Sequence, residues 1–283
     1  MVYLFISILF SVSVGILFKL IKARTTINIF LIAVNYLCAI AASWIFFRPE
    51  IELRAIPFNL YHLSLSILLP LIFILLSLSI RYSGIIKTDI AQRISLVIPI
   101  ACSYWIFNET IPILRWLGIV IGFIAMFFIL NKAQTSREKN AVFLLLVFLG
   151  YGIIDVLFKM VALQKSIPYT TALFYIFCGS FVVAAVITLF SMIKNKIEIT
   201  RSTFFYGLLL GLFNFLNIYF YLKAHQYFSE NPTTVFATMN FGVILLGTVV
   251  GAVYFKEKLS SKNIFGLIMA VIAILLVVVS QLD

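Results

Sequence analysis

Residues 107–130 read FNETIPILRWLGIVIGFIAMFFIL, and residues 255–278 read FKEKLSSKNIFGLIMAVIAILLVV. At a fixed shift of 148, Phe107, Glu109, Gly118 and the pair Ile124-Ala125 recur as Phe255, Glu257, Gly266 and Ile272-Ala273. A glutamate, a glycine and an alanine keep one spacing, and they do so where one apolar run ends and the next begins. A second match supports the first: Leu17-Phe18-Lys19 recurs as Leu157-Phe158-Lys159, a shift of 140. The chain therefore divides into a first half, 1–132, a connecting loop, 133–140, and a second half, 141–283.

Outward from these stretches the sequence is apolar in blocks. Of 283 residues, 63% are hydrophobic and 11% are charged, against about 45–50% and about 25% in soluble domains. The blocks are about 20 residues long, the length of helix that crosses a hydrocarbon layer of ~30 Å. Backbone groups in lipid must be satisfied within the segment, so each block is expected to be a helix. Ten spans result: Val2–Ile21, Ile27–Phe47, Leu60–Ile80, Gly84–Phe107, Pro112–Leu130, Ala141–Leu163, Thr170–Ile193, Thr203–Leu222, Thr233–Phe255 and Ile264–Gln281. The fold class is an all-α integral membrane protein of ten transmembrane helices. Five spans per half is an odd number, so the second half is expected upside down relative to the first. Inverted five-helix repeats of this kind belong to secondary transporters, which bind substrate near the midplane where the repeats meet.

The net charge of +11 comes from basic residues scattered over short loops, with no basic face that would bind nucleic acid. Leaving aside Arg93 and Lys159, which fall well within spans, and taking Lys19, Lys87 and Arg115 with the loops they adjoin, the loops after spans 1, 3, 5, 7 and 9 hold 14 Lys and Arg, and the loops after spans 2, 4, 6 and 8 hold five. The positive-inside rule then places the odd loops in the cytoplasm and both termini outside it, in a cell or inner membrane. The cysteines, Cys38, Cys102 and Cys178, lie in apolar runs with no metal or disulfide spacing.

A charge at mid-span costs about 2.5–3.5 kcal/mol on insertion scales and so needs a reason. Asp89 and Arg93, four residues apart in span four, share a helix face, with Gln92 beside them. Arg93 can hold an anionic group in a bidentate fork, and Asp89 can hold the guanidinium or a substrate amine. Asp155 and Lys159 form a pair at the same spacing in span six. They are candidates for proton coupling, with Lys159 also long enough to snorkel to the headgroups or to pair with Asp155. Asn214, Asn217 and Asn240 offer amides to a polar substrate or to neighbouring helices. Lys19, Glu109 and Glu257, near helix ends, read as structural or gate residues.

These features resemble the drug/metabolite transporter superfamily, in its ten-helix EamA-type branch. The resemblance rests on Lys19 and Lys159 late in the first helix of each half, on Glu109 and Glu257 in the turn after the fourth, and on Gly118 and Gly266 in the fifth. The chain has Val14-Gly15 where many relatives carry tryptophan-glycine. The resemblance implies a transporter of a small polar metabolite (an amino acid, a nucleotide-related compound or a drug-like molecule), working by alternating access and often outward, so that an exporter is expected. It implies a central cavity lined by spans one, three, four, six, eight and nine. Protons or a counter-substrate are the coupling partners it allows, and the lipid bilayer is the constant one. No cofactor is implied, and the fused halves suit a monomer or a weak homodimer.

Other functions fit less well. An intramembrane enzyme would need a metal or acid-base motif. The sequence holds no His-Glu-x-x-His, no paired mid-span aspartates with a flanking glycine motif and no serine-histidine pair in adjacent spans, and His62 and His225 lie near span ends. A phosphate-binding glycine loop is also missing. A channel or structural subunit is the alternative, but a channel favours a ring of like charge over two unlike charged pairs.

Overall fold

The computed structural model describes residues 1–24, 29–49, 59–130, 142–195, 201–256 and 258–281. Among them the chain is helical throughout: α1 (Val2–Arg24), α2 (Ile29–Phe47), α3 (Leu60–Ser83), α4 (Ile85–Ile94), α5 (Val97–Trp105), α6 (Ile113–Leu130), α7 (Val142–Leu163), α8 (Tyr169–Asn195), α9 (Arg201–Tyr227), α10 (Pro232–Val253) and α11 (Ser261–Val279). Eight of these are long and apolar enough to cross a membrane, and α1 holds a shorter apolar stretch, Val2–Phe18.

The expected fourth span is not one helix. α4 and α5 are too short to cross a membrane singly and together make one interrupted pass, which brings the passes to ten. Pro99 causes the break. It has no N–H to return to the Ser95 carbonyl, which instead accepts from Ile98 N at 2.9 Å. The Leu96 amide turns back on Arg93 O at 3.2 Å, and Ser95 Oγ donates to Gln92 O at 2.6 Å. α10, the matching pass of the second half, runs unbroken.

The packing repeats when each pass is exchanged for its counterpart five passes on. α1 packs on α9 as α7 packs on α3, and α2 on α9 as α8 on α3. α1 meets α10 as α7 meets the broken pass, while α2–α8 and α6–α11 pair with their own counterparts. The α6–α11 contact fixes the relative direction of the halves. A Cβ at Gly118, early in α6, would lie 2.9 Å from Val277 and 3.0 Å from the Ala273 carbonyl, late in α11. A Cβ at Gly266, early in α11, would lie 2.8 Å from Ile129 and 2.9 Å from the Ala125 carbonyl, late in α6. Helices related by the repeat therefore run antiparallel, and the repeats are inverted. Gly118 meets Ala273, the copy of Ala125, and Gly266 meets Ala125, so the residues that flagged the repeat meet at this crossing.

α9 approaches α2 closely through Gly207 and Gly211, but no atom of another element would meet a Cβ at Gly247 within 4 Å. The starts of α1, α6 and α10 and the ends of α9 and α11 share one end of the bundle, here called the terminal face. The opposite face holds the end of α6 and the start of α11, where Asn263 Nδ2 donates to Ile129 O at 2.8 Å and to Phe128 O at 3.2 Å.

Candidate functional site

Asp89 and Arg93 come together with Asp155. On α4 the Arg93 Nε lies 3.4 Å from Asp89 Oδ1, and the side chains keep 15% and 36% of their surface. That access matters because the pair sits just before the break in its helix, where a transporter exposes backbone groups to a cavity. From α7, Tyr151 and Asp155 face the pair: the charges of Arg93, Asp89 and Asp155 all reach the Tyr151 hydroxyl. The charge of Arg93 also reaches Asp155. From α9, Tyr221 Oη donates to Asp155 Oδ1 at 3.0 Å. Asp155 is ringed by protein and still keeps accessible surface. The cluster sets one guanidinium against two carboxylates, so it holds an excess negative charge.

The amides take other places. Asn214 Nδ2 donates to Asn35 Oδ1 on α2 at 3.4 Å. Asn217 accepts from Ser7 Oγ on α1, at 2.8 Å through Oδ1 and at 3.0 Å through its carbonyl. Asn240 Nδ2 bonds its own helix at Phe236 O, 3.1 Å away. Gln92 enters through its carbonyl at the helix break. Asn214 and Asn217 thus tie α9 to α2 and α1.

Lys159 neither snorkels nor pairs with Asp155. It is wholly buried, because α9 extends past the expected span to Tyr227 and its end covers the ammonium. Nζ donates to Ser229 O at 2.7 Å and approaches His225 O at 3.5 Å. The Phe107 ring lies 6.0 Å away, and the charge of Glu109 reaches the ammonium.

Glu109 belongs to a network that sequence reading missed. Arg115, counted among the loop cations, is 1% exposed. Its Nη1 lies 2.5 Å from Glu109 Oε1 and donates to Asn231 Oδ1 at 3.0 Å and Thr233 Oγ1 at 3.2 Å. Nε donates to Ser280 Oγ at 3.0 Å. Glu109 also accepts from Thr233 N at 3.0 Å and Thr233 Oγ1 at 2.5 Å, and Gln281 Nε2 donates to Thr234 Oγ1. The network latches α6, α10 and α11 together at the terminal face. Glu109 lies in the connection before α6, outside the spanning helices. Burial pushes its carboxyl above the usual range, more than the Thr233 and Arg115 contacts pull it down. The only advance signal was an arginine just inside a span, next to a glutamate turn. The Lys19 side chain and Glu257 lie outside the described residues.

Residues 139–279 match the EamA-like transporter family. The chain belongs to that family. This EamA-like transporter is a multi-pass protein of the drug/metabolite transporter superfamily that moves small metabolites across a membrane. It is 39% identical to an uncharacterized protein of Haemophilus influenzae, over 96% of this chain and 95% of that protein. It is 25% identical to an S-adenosylmethionine uptake transporter of Rickettsia prowazekii, over 68% of this chain and 63% of the relative. The corresponding transporter of Rickettsia felis is also 25% identical, over 62% and 56%. A protein crystal structure 11% identical in sequence shares the fold, with a TM-score of 0.71 over 99% of this chain and 98% of that one.

Proposed function

We propose that the chain is a secondary transporter of a small amino-acid-like metabolite bearing net positive charge, working by alternating access between its two halves. One observation carries this reading. Asp155, deep in the bundle, receives a hydrogen bond from Tyr221 and stands opposite an arginine already engaged with Asp89. A carboxylate away from water needs a cation or a proton. A substrate ammonium fits Asp155, a substrate carboxylate fits the Arg93 fork, and a second positive group answers the excess negative charge. The Rickettsia relatives support this choice, since S-adenosylmethionine joins an amino-acid zwitterion to a sulfonium cation. The broken α4–α5 pass supports a rocking of the halves, 1–132 against 141–283, in a cell or inner membrane. The relatives' uptake supports inward movement, and export is the other outcome of the same flux assay.

The test is flux of labelled S-adenosylmethionine into proteoliposomes, first downhill and then by counterflow against a preloaded pool. Uptake stimulated by the preloaded pool marks a carrier. Downhill flux without stimulation marks a channel, and no flux removes this substrate. Arg93→Gln and Asp155→Asn are each expected to lower apparent affinity at least about tenfold, the size of one lost charge-assisted contact of about 1.5–3 kcal/mol. Unchanged kinetics in both would remove the cluster from the substrate path.

A further inference from the structure

His225 has no role in the substrate reading, and its surroundings call for one. Its side chain is wholly buried, and neither ring nitrogen has a hydrogen-bond partner. Native structures rarely keep such a group without a use for it. The ring is wedged between Tyr221, 4.6 Å away by centroids, and Phe236 of α10, at 4.7 Å.

The residue stands between the two polar systems of the bundle. On one side Tyr221 donates its hydroxyl to Asp155 in the substrate cluster. On the other, Lys159 holds the backbone carbonyls of His225 and Ser229, and its charge is felt by both the imidazole and Glu109 of the latch. Lys159 is the charged group whose field reaches the ring among the described residues. From α10 the ring meets the apolar Phe236, and from its own helix the neutral Tyr221. Elsewhere on α9, Lys223 lies over the Tyr3 ring of α1, Tyr219 stacks on Tyr169 of α8, and Ser7 of α1 and Asn35 of α2 bring uncharged partners.

A dry ring beside an ammonium is a poor place for a second positive charge while the latch is shut. Opening the latch would free the start of α10 at Asn231 and Thr233, so that Phe236, one turn on, can leave the ring and admit water to the imidazole. Histidine is the side chain whose charge changes most readily near neutral pH. We propose that His225 binds one proton in each transport cycle, when the Glu109–Arg115 latch opens, and is neutral while the latch is shut. The proton comes from water at the terminal face and adds to a ring nitrogen lone pair, giving the imidazolium. On closing, dehydration and Lys159 expel it, and Asp155, bonded to the Tyr221 that lies against the ring, is the base placed to receive it when no substrate ammonium occupies that carboxylate. This inference rests on the alternating-access part of the proposed function and is independent of the substrate.

The chain has two histidines, so ring-nitrogen NMR on labelled histidine gives two sets of signals, and a His62→Gln background leaves those of His225. The protein is studied in lipid nanodiscs from about pH 5 to about pH 8, the interval in which an accessible histidine titrates. With the latch intact the ring signals are expected to keep their neutral form throughout. With Glu109→Gln added, they are expected to move to the imidazolium form on acidification, by one proton. Titration in neither protein, or equally in both, would overturn the proposal. Arg115→Gln breaks the same latch from its other side and supplies the readout if Glu109→Gln does not insert. No substrate is added, so failure here is distinct from failure of the transport reading, which would show as absent flux.

Discussion

Arg115 carries more of this molecule than its place in the sequence suggests. One guanidinium serves Glu109, Asn231, Thr233 and Ser280, so it joins three passes at a single point. Removing one partner of a buried pair costs about 3–5 kcal/mol, since the other charge is left without compensation. Arg115→Met is therefore expected to lower the unfolding temperature in detergent sharply. The double change Glu109→Gln with Arg115→Met should recover part of the loss, because no buried charge remains. Arg115→Lys should fall between wild type and Arg115→Met: a lysine presents a compact ammonium in place of the planar fork and cannot reach all four partners. A thermal-shift series on the four proteins checks the order, and equal midpoints for Arg115→Met and wild type would reduce the latch to an incidental contact. The cluster of Asp89, Arg93 and Asp155 was more legible than the latch. Asp89, Arg93 and Asp155 stand out as charges in apolar runs, whatever folds round them. Arg115 stands near a helix start, where a surface cation would also stand, and only its neighbours from α10 and α11 show that it is inside.

At the scale of helices, the recurring motif turned out to be a packing surface. Gly118 and Gly266 each let a backbone approach the late turns of the partner helix, and the two contacts are copies of one another. A valine at either position would push Cβ and its methyl groups into a carbonyl and a β-branched or long aliphatic side chain that cannot both retreat. Gly118→Val and Gly266→Val are each expected to destabilise by about 1–3 kcal/mol, the range for overpacking, and by similar amounts because the sites are equivalent. A large loss at one site and none at the other would mean that the two halves do not share this crossing equally. The motif was readable because both copies stand in one chain at one spacing. The break in the fourth pass was not read, although Pro99 is plain in the sequence. Hydropathy dips at Lys87–Arg93, before the break, and not at the break itself, residues 95–99 (SLVIP), and proline inside a helix need not break it: α3 carries Pro70 and stays whole. What separates the two cases is the tertiary setting, since the freed carbonyl of Ser95 is taken up by Ile98 in a tight turn.

At the scale of the whole molecule, the two faces differ in charge, and this difference makes the orientation testable. Lys and Arg concentrate in the loops of the opposite face. Moving Arg115 from the loops to the interior sharpens the bias from 14 against five to 14 against four. The positive-inside rule counts cations that must stay with the cytoplasm during insertion, and a buried, paired arginine is not one of them. The terminal face, with the latch, is therefore expected on the extracytoplasmic side. Glu230 is exposed there and Lys258 is exposed at the opposite face. With Cys38, Cys102 and Cys178 replaced, a cysteine at position 230 should react with a membrane-impermeant maleimide added to intact cells, and one at position 258 only after the membrane is opened. The reverse pattern would put the latch on the cytoplasmic side. A latch that is shut outside and opens once in each cycle would let an external proton reach His225 before the Asp155 cluster is exposed inward, which is the order uptake requires. A latch on the cytoplasmic side would make the same parts fit release to the outside, so this labelling result decides which direction of flux the proton site can drive.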